Sequence, residues 1–258
     1  MAKTINKGFI TAKINGINVN GSIKASSKNY NSRTSRNVGY VVMHYTGNPK
    51  DTAKANCNYF ASGSRSASAH FFVDDSSIYQ SVALRDIAWH CGGKKYFHAA
   101  CRNSNAFGIE MCCTAGNYKI SETTIKNSAY LCAYLCEMLG IGADEVDKYV
   151  LRHYDITHKI CPAQMANSEN DADWENFKKQ VKTILAANNG TATEEQKSKF
   201  PYKVRITASV LNVRAGAGTN YKVNTTVKKD EVYTIVAESG SWGKLKSGAG
   251  WISLAYTK

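Results

Sequence analysis

The stretch Val38-Gly39-Tyr40-Val41-Val42-Met43-His44-Tyr45 is a short apolar, β-branched run that closes on the turn Thr46-Gly47-Asn48-Pro49. A run of this kind reads as a buried strand, and this one delivers a histidine to its end. Working outward, Asp51 to Phe60 fits a helix whose start is marked by Pro49 and an acidic cap region. The small polar residues 61–69 make a loop. His70 to Gln80 holds two short strands split by Asp74-Asp75-Ser76-Ser77, the pattern of a hairpin. Ala106 to Thr114 returns to strand character and carries Glu110. Ser121 to Leu139 predicts a helix, because Ile125, Ala129, Cys132, Leu135, Cys136 and Leu139 form one apolar stripe and Gly140 ends it. Val150 to His153 is again short and apolar, and Trp174 to Ala187 predicts a terminal helix. Strands alternating with helices indicate an α/β domain.

The chain has 258 residues, room for one medium and one small domain. The composition shifts at Asn188: NNGTATEEQKSKFP is polar and reads as a linker over 188–201. Beyond it, residues 202–258 show short strands between Gly, Asn and Ser turns, the pattern of a small all-β barrel. The expected organisation is therefore 1–187, 188–201 and 202–258.

A net charge of +13 calls for either a polyanionic partner or a solubility role. Nucleic acid, anionic membrane and phosphate-rich wall polymers all offer the same sign of field. No segment interleaves basic and aromatic residues as nucleic-acid readers do, so nucleic acid is not expected as a partner. The first residues contain no continuous apolar core of a signal peptide. No stretch reaches the roughly 20 apolar residues that insert into a bilayer. Synthesis in the cytoplasm is the expectation, with any extracellular work requiring another exit. The eight cysteines are expected to be reduced and mostly buried.

His44, His153 and Cys161 stand out as candidate ligands for one zinc ion. His153 and Cys161 lie eight residues apart around RHYDITHKICP, a segment able to fold back on itself. Two imidazoles and a thiolate leave the fourth tetrahedral position open to water, as a catalytic zinc requires. A buried cysteine before a proline can equally be a packing residue. Glu110, set among apolar neighbours, suits a general base whose pKa is raised by burial. The alternative is an acid facing water from an edge strand. Lys159 can stabilise a developing oxyanion, or it is a solvated loop lysine.

These residues belong to a wider set of motifs that carries a specific resemblance. VVMHYTGN (41–48), SAHF (68–71), AWHCG (88–92), NSNAFGIE (103–110), Arg152-His153 and KICP (159–162) occur in order. Together they make the segment from about 29 to 187 resemble the zinc amidases of phage endolysins and bacterial autolysins, relatives of the peptidoglycan recognition proteins. The resemblance implies a mixed β-sheet flanked by helices. It implies N-acetylmuramoyl-L-alanine amidase activity, cleaving the amide between the muramic acid lactyl group and L-alanine of the stem peptide. It carries over His44, His153 and Cys161 as zinc ligands, Glu110 as the activator of water and Lys159 as the oxyanion group. It also places Trp89 and His90 along the substrate groove and leaves His70 either lining that groove or packing beneath the site. Where some relatives have a tyrosine before the latter histidine, this chain has Ala69, which shifts weight onto Glu110.

LNVRAG (211–216), SWGKL (241–245) and GWI (250–252) resemble a bacterial SH3-type domain, which implies wall binding, with Trp242 and Trp251 expected in the barrel core. The implied partners are peptidoglycan and anionic wall polymers, and the implied route is release at lysis through a membrane pore. Two other readings compete. One is a non-catalytic recognition protein of the same fold, which typically lacks the thiolate. The other is a wall cysteine peptidase, for which Cys57 is the candidate nucleophile.

Overall fold

The computed structural model describes residues 2–166, 171–188, 201–219, 221–239 and 241–258. The chain divides into two compact units, Met1–Gly190 and Thr191–Lys258. Almost all of the linker expected at 188–201 lies outside the described residues.

Among the described residues of the first unit, the main sheet has seven strands. In chain order they are β1 (Lys13–Ile14), β2 (Ile17–Asn20), β3 (Tyr40–Tyr45), β4 (Phe71–Val73), β5 (Ile78–Gln80), β6 (Ala106–Met111) and β7 (Val150–Arg152). Their spatial order is β7-β3-β6-β4-β5-β2-β1. Strands β7, β3, β6 and β4 run parallel, while β4-β5 and β1-β2 are antiparallel pairs, so the sheet is mixed. The strand pair β1-β2 extends the sheet from a segment in which sequence periodicity gives no strand, since runs of two to four residues are too short to show one.

Besides a single turn at Val146–Tyr149, the α-helices among the described residues are α1 (Ala53–Ala61), α2 (Glu122–Leu139), α3 (His153–Thr157) and α4 (Asp171–Asn188). Helix α2 starts where Ser121 accepts a hydrogen bond from the Thr124 backbone N–H and stops at Gly140, whose φ of 73° is the left-handed cap a glycine adopts without penalty. Helix α4 begins three residues before the apolar stripe that starts at Trp174, because Asp171 and Asp173 favour the positive end of the helix dipole.

Period-2 alternation sorts the parallel strands onto two faces. Val41, Met43, Phe107, Ile109, Met111 and Val150 join α2 and α4 in the main core with Leu131, Leu135, Phe177 and Val181. Val42, Ala106 and Leu151 point the other way, into a smaller cluster with Cys91, Cys101 and Ile156. That second face is the one on which His44 and Glu110 emerge. No helix among the described residues is long and apolar enough to cross a membrane.

Among the described residues the second unit forms a six-stranded antiparallel sheet: β8 (Tyr202–Arg205), β9 (Val210–Arg214), β10 (Val223–Lys228), β11 (Val232–Ser239), β12 (Trp242–Leu245) and β13 (Trp251–Ser253). Its order is β8-β11-β12-β13-β9-β10. The core is aliphatic, built from Val204, Ile206, Leu211, Val213, Val227, Ile235, Leu245 and Ile252. Trp242 and Trp251 are only half-buried and lie outside that core, contrary to the expectation from sequence. Both head their strands and sit out of phase with the inward residues Leu245 and Ile252.

Candidate metal centre and its surroundings

His44 is the fifth of six residues in β3 and is buried near the strand's C-terminal end. The neighbouring strand β7 ends at Arg152, so His153 opens α3 beside it. Arg152 fixes this junction. Its backbone N–H donates to Asp155 Oδ2 at 2.7 Å, and its guanidinium pairs with Asp155 and with Asp171, each at 2.8 Å. The chain then reverses through His158, whose φ of 58° is left-handed. The Tyr154 N–H donates to the Cys161 carbonyl at 3.0 Å, which closes the loop. That reversal brings Cys161 back to the sheet, with Sγ 3.7 Å from His44 Nδ1.

One donor atom from each of His44, His153 and Cys161 lies within 4.8 Å of the others, and all three residues are buried. His153 Nδ1 is buried and has no hydrogen-bond partner. An orphaned acceptor beside a thiol and a second imidazole is what a soft divalent cation such as zinc would satisfy. Burial pushes His44 well below its ordinary value and His153 down to about 4, so both rings are neutral and able to donate a lone pair. Burial pushes the Cys161 thiol up to about 12, so a cation would have to displace its proton.

Glu110 sits on β6, between β3 and β4, so it belongs to an interior strand and not to a sheet edge. Its Oε2 is shielded from solvent and unpartnered. Burial raises its carboxyl to about 8, against the nearby positive charge of Lys159. Lys159 is exposed, and its charge acts on His153, His44 and Cys161 as well as Glu110, which locates it at the rim of the cluster. A cleft of about 460 Å³ opens against Glu110, walled by Asn48, Asp51, Tyr59, Phe60 and Phe72.

The three aromatic and imidazole candidates part company. Trp89 is half-buried, and its indole N–H donates to Asn31 Oδ1 at 2.7 Å. His90 is buried, with Nδ1 3.0 Å from His44 Nε2, so it backs the cluster and does not line a groove. His70 is wholly buried, and both its ring nitrogens are engaged. Nδ1 accepts from the Gly108 N–H at 3.0 Å, and Nε2 lies 2.8 Å from an Arg36 guanidinium nitrogen. His70 is therefore enclosed beneath the sheet's site-bearing residues, the second of the two places expected for it. Cys57 lies inside α1, and burial pushes its thiol up to about 12, the opposite of an activated nucleophile.

Sequence reasoning missed Arg36, Gly108 and Asn103. A Cβ on Gly108 would stand 2.6 Å from the His90 ring, so only glycine admits that ring against the strand. A glycine two residues before Glu110 in an apolar strand was the available signal.

Residues 34–164 match the family model described as N-acetylmuramoyl-L-alanine amidase, and residues 209–258 match that of the bacterial SH3 domain. A probable N-acetylmuramoyl-L-alanine amidase of Bacillus licheniformis is 33% identical over 153 residues, covering 56% of this chain and 41% of its own length. The N-acetylmuramoyl-L-alanine amidase BlyA of Bacillus subtilis (strain 168) is 34% identical over 165 residues, covering 59% and 43%. The chain thus spans less than half the length of these relatives. The solved catalytic domain of XlyA superposes with a TM-score of 0.53 at 25% identity, covering 64% of this chain and 99% of that one.

Proposed function

Since the chain belongs to the N-acetylmuramoyl-L-alanine amidase family through residues 34–164, we propose that it hydrolyses the amide between the muramic acid lactyl group and L-alanine of peptidoglycan, using one zinc ion held by His44, His153 and Cys161. The observation that carries this reading is the convergence of those three buried donors beside the unpartnered Oε2 of Glu110.

Bound zinc supplies Lewis acidity towards the attacking water and the scissile carbonyl. The protein's own residues do the rest. His44 and His153 are kept neutral by burial and offer lone pairs at neutral pH. Glu110, a basic carboxylate once ionised, takes the proton of the attacking water and returns it to the leaving amine nitrogen. Lys159 brings a positive charge to the rim, where the carbonyl oxygen gains negative charge. In this reading the stem peptide lies in the cleft against Glu110 and presents its amide to the carboxyl group. Trp89 is not part of the cleft's wall, and its part as a contact for sugar or peptide rests on the resemblance alone.

The second unit suits wall attachment: residues 203–258 carry nine Lys/Arg against three Asp/Glu, a field that favours anionic wall polymers as well as peptidoglycan. Release onto the wall at host lysis, in the manner of an endolysin, fits an enzyme of this build.

The test is mass spectrometry of purified peptidoglycan digested by the protein, with Cys161→Ser as control. Free stem peptides bearing new L-alanine amino termini, absent from the control, are expected. An intact wall that carries the protein down on centrifugation would instead support a recognition protein. Cleavage between stem amino acids would point to a peptidase.

A further inference from the structure

The outward nitrogens of both histidines in the cluster are met by one three-residue segment. His44 Nε2 lies 3.0 Å from His90 Nδ1, and His153 Nε2 lies 3.3 Å from the Gly92 carbonyl oxygen. With hydrogens on the two Nε2 atoms, each ring donates outward and keeps Nδ1 as its lone pair. The Nδ1 atoms are the ones that face inward: that of His44 towards Cys161 Sγ, that of His153 without any partner.

The segment itself is tied down by a single carboxamide. Asn103 Oδ1 accepts from the His90 N–H at 3.0 Å, the Cys91 N–H at 2.8 Å and the Cys91 thiol at 3.2 Å. Asn103 is in turn placed by its short helical turn, Asn103–Asn105, which leads directly into β6. Gly108 on that strand receives the face of the His90 ring. The loop that orients the two rings is thereby registered to the strand that carries Glu110.

Resting on the zinc reading above, we propose that Asn103 is a positioning residue for the metal centre: through its side-chain oxygen it holds His90 and Gly92 where they fix the tautomer and angle of His44 and His153. A metal-ligating imidazole whose outer N–H is held binds better than one free to rotate, and loss of such a partner typically lowers affinity ten- to a hundred-fold. The chemistry needed at position 103 is an acceptor oxygen at the amide's reach, and no Asn103 donor enters the bonds that hold the loop.

That requirement sets the experiment. Asn103→Ala removes the acceptor; Asn103→Asp keeps it in the same place. Zinc affinity of the full chain is measured by competition with a chromophoric chelator. The geometry is read from the visible spectrum of the cobalt(II)-loaded protein, whose thiolate charge-transfer and ligand-field bands report the donor arrangement. Expected are a ten- to hundred-fold weaker affinity and altered cobalt bands in Asn103→Ala, with Asn103→Asp close to wild type in both. Wild-type affinity and spectrum in a folded Asn103→Ala protein would overturn the proposal while leaving the zinc reading intact. Equal losses in both variants would overturn it too, since the acceptor would not be what matters. A wild-type protein that gives no thiolate–cobalt band would overturn the zinc reading itself. Should Asn103→Ala fail to fold, His90→Leu and His90→Asn make the same comparison at the next link. The asparagine oxygen replaces Nδ1 and leucine does not, so equal binding by the two would overturn the proposal.

Discussion

His44 and Glu110 are direct partners across the parallel ladder between Tyr40–Tyr45 and Ala106–Met111, so an imidazole and a carboxyl group leave the same face of the sheet side by side. The spacing of the two is set by the backbone of interior strands and not by loops, which suits groups that must act on one substrate atom. Glu110→Gln keeps the shape and removes the ability to take a proton. Hydrolysis of a soluble muropeptide should fall by roughly 10²–10⁴-fold, the usual contribution of a positioned base. Zinc content, read by atomic absorption, should stay at one ion per chain. Turnover near the wild-type level would remove Glu110 from its role.

Zinc uptake should release protons in a countable way. Burial holds the Cys161 thiol up to about 12 and the Glu110 carboxyl up to about 8, so both carry protons at pH 7 in the metal-free protein. His44 and His153 are already neutral and contribute none. A cation at the cluster favours both anions, so about two protons should leave per zinc bound. Calorimetry in buffers of different ionisation enthalpy measures the number, and Glu110→Gln should reduce it by about one. An unchanged count in that variant would mean the carboxyl does not sense the metal.

The same groups place the stability maximum of the zinc-stripped protein on the acid side of neutrality. His153 titrates at about 4 when folded against an ordinary 6.5, so the unfolded chain binds its proton first as the pH falls. Its contribution is full above 6.5 and is lost as the pH drops through about 4, roughly 3 kcal/mol in all. Glu110 runs the other way: raised from 4.5 to about 8, its contribution is full below 4.5 and is lost as the pH rises through about 8. Thermal melts of the stripped protein should therefore peak between pH 4.5 and 6.5 and fall above that window. Glu110→Gln should melt higher than wild type at pH 9 and similarly at pH 5. A wild-type melting temperature still rising at pH 9 would contradict the burial of that carboxyl.

Much of this was legible in the sequence, and the exceptions share a cause. The strand ending in His44 and the hairpin from His70 to Gln80 follow from short apolar runs bounded by turn residues, and the helix from Glu122 to Leu139 from its apolar stripe. The interior place of Glu110 was open in the sequence because it is decided by Tyr40–Tyr45 and Phe71–Val73, segments far off along the chain. His70 was ambiguous for the same reason: its Nε2 meets the Asp86 carbonyl oxygen and an Arg36 nitrogen and its Nδ1 the Gly108 N–H, groups 16 to 38 residues away. Asn103 looks like any loop asparagine until the fold lays residues 90–92 against it.

Arg36 anchors a buried polar network. Its guanidinium is buried and donates to the carbonyls of Leu84 and Ala106 at 2.9 and 3.0 Å, besides meeting His70. Desolvation lowers it to about 10, still far above neutral, so the charge persists inside the protein. Arg36→Leu would leave those acceptors without donors, a loss of roughly 3–5 kcal/mol as for other broken buried polar networks. Arg36→Lys should recover little of it, since one ammonium cannot span the fork. Urea unfolding followed by tryptophan fluorescence measures the difference, and a change within about 0.5 kcal/mol, the range of ordinary surface substitutions, would show that the network is not worth what its burial implies.

Removing residues 191–258 should separate attachment from chemistry. The second unit has its own sheet and its own aliphatic core, and the donors of the metal cluster all come from the first. The truncated chain should therefore keep its zinc and cleave a soluble muropeptide at close to the full-length rate, while sedimenting less with purified walls. Because the net charge of residues 203–258 is +6, from nine basic and three acidic side chains, full-length binding should weaken as salt rises from 50 to 500 mM. Walls stripped of their anionic polymers then sort the cause. If the salt dependence disappears on stripped walls, the charge was reading those polymers. If binding and its salt dependence survive, the second unit grips peptidoglycan itself and its charge acts on the stem-peptide carboxylates. Loss of muropeptide cleavage on truncation would mean that the barrel takes part in the active domain, against the separation of the two cores.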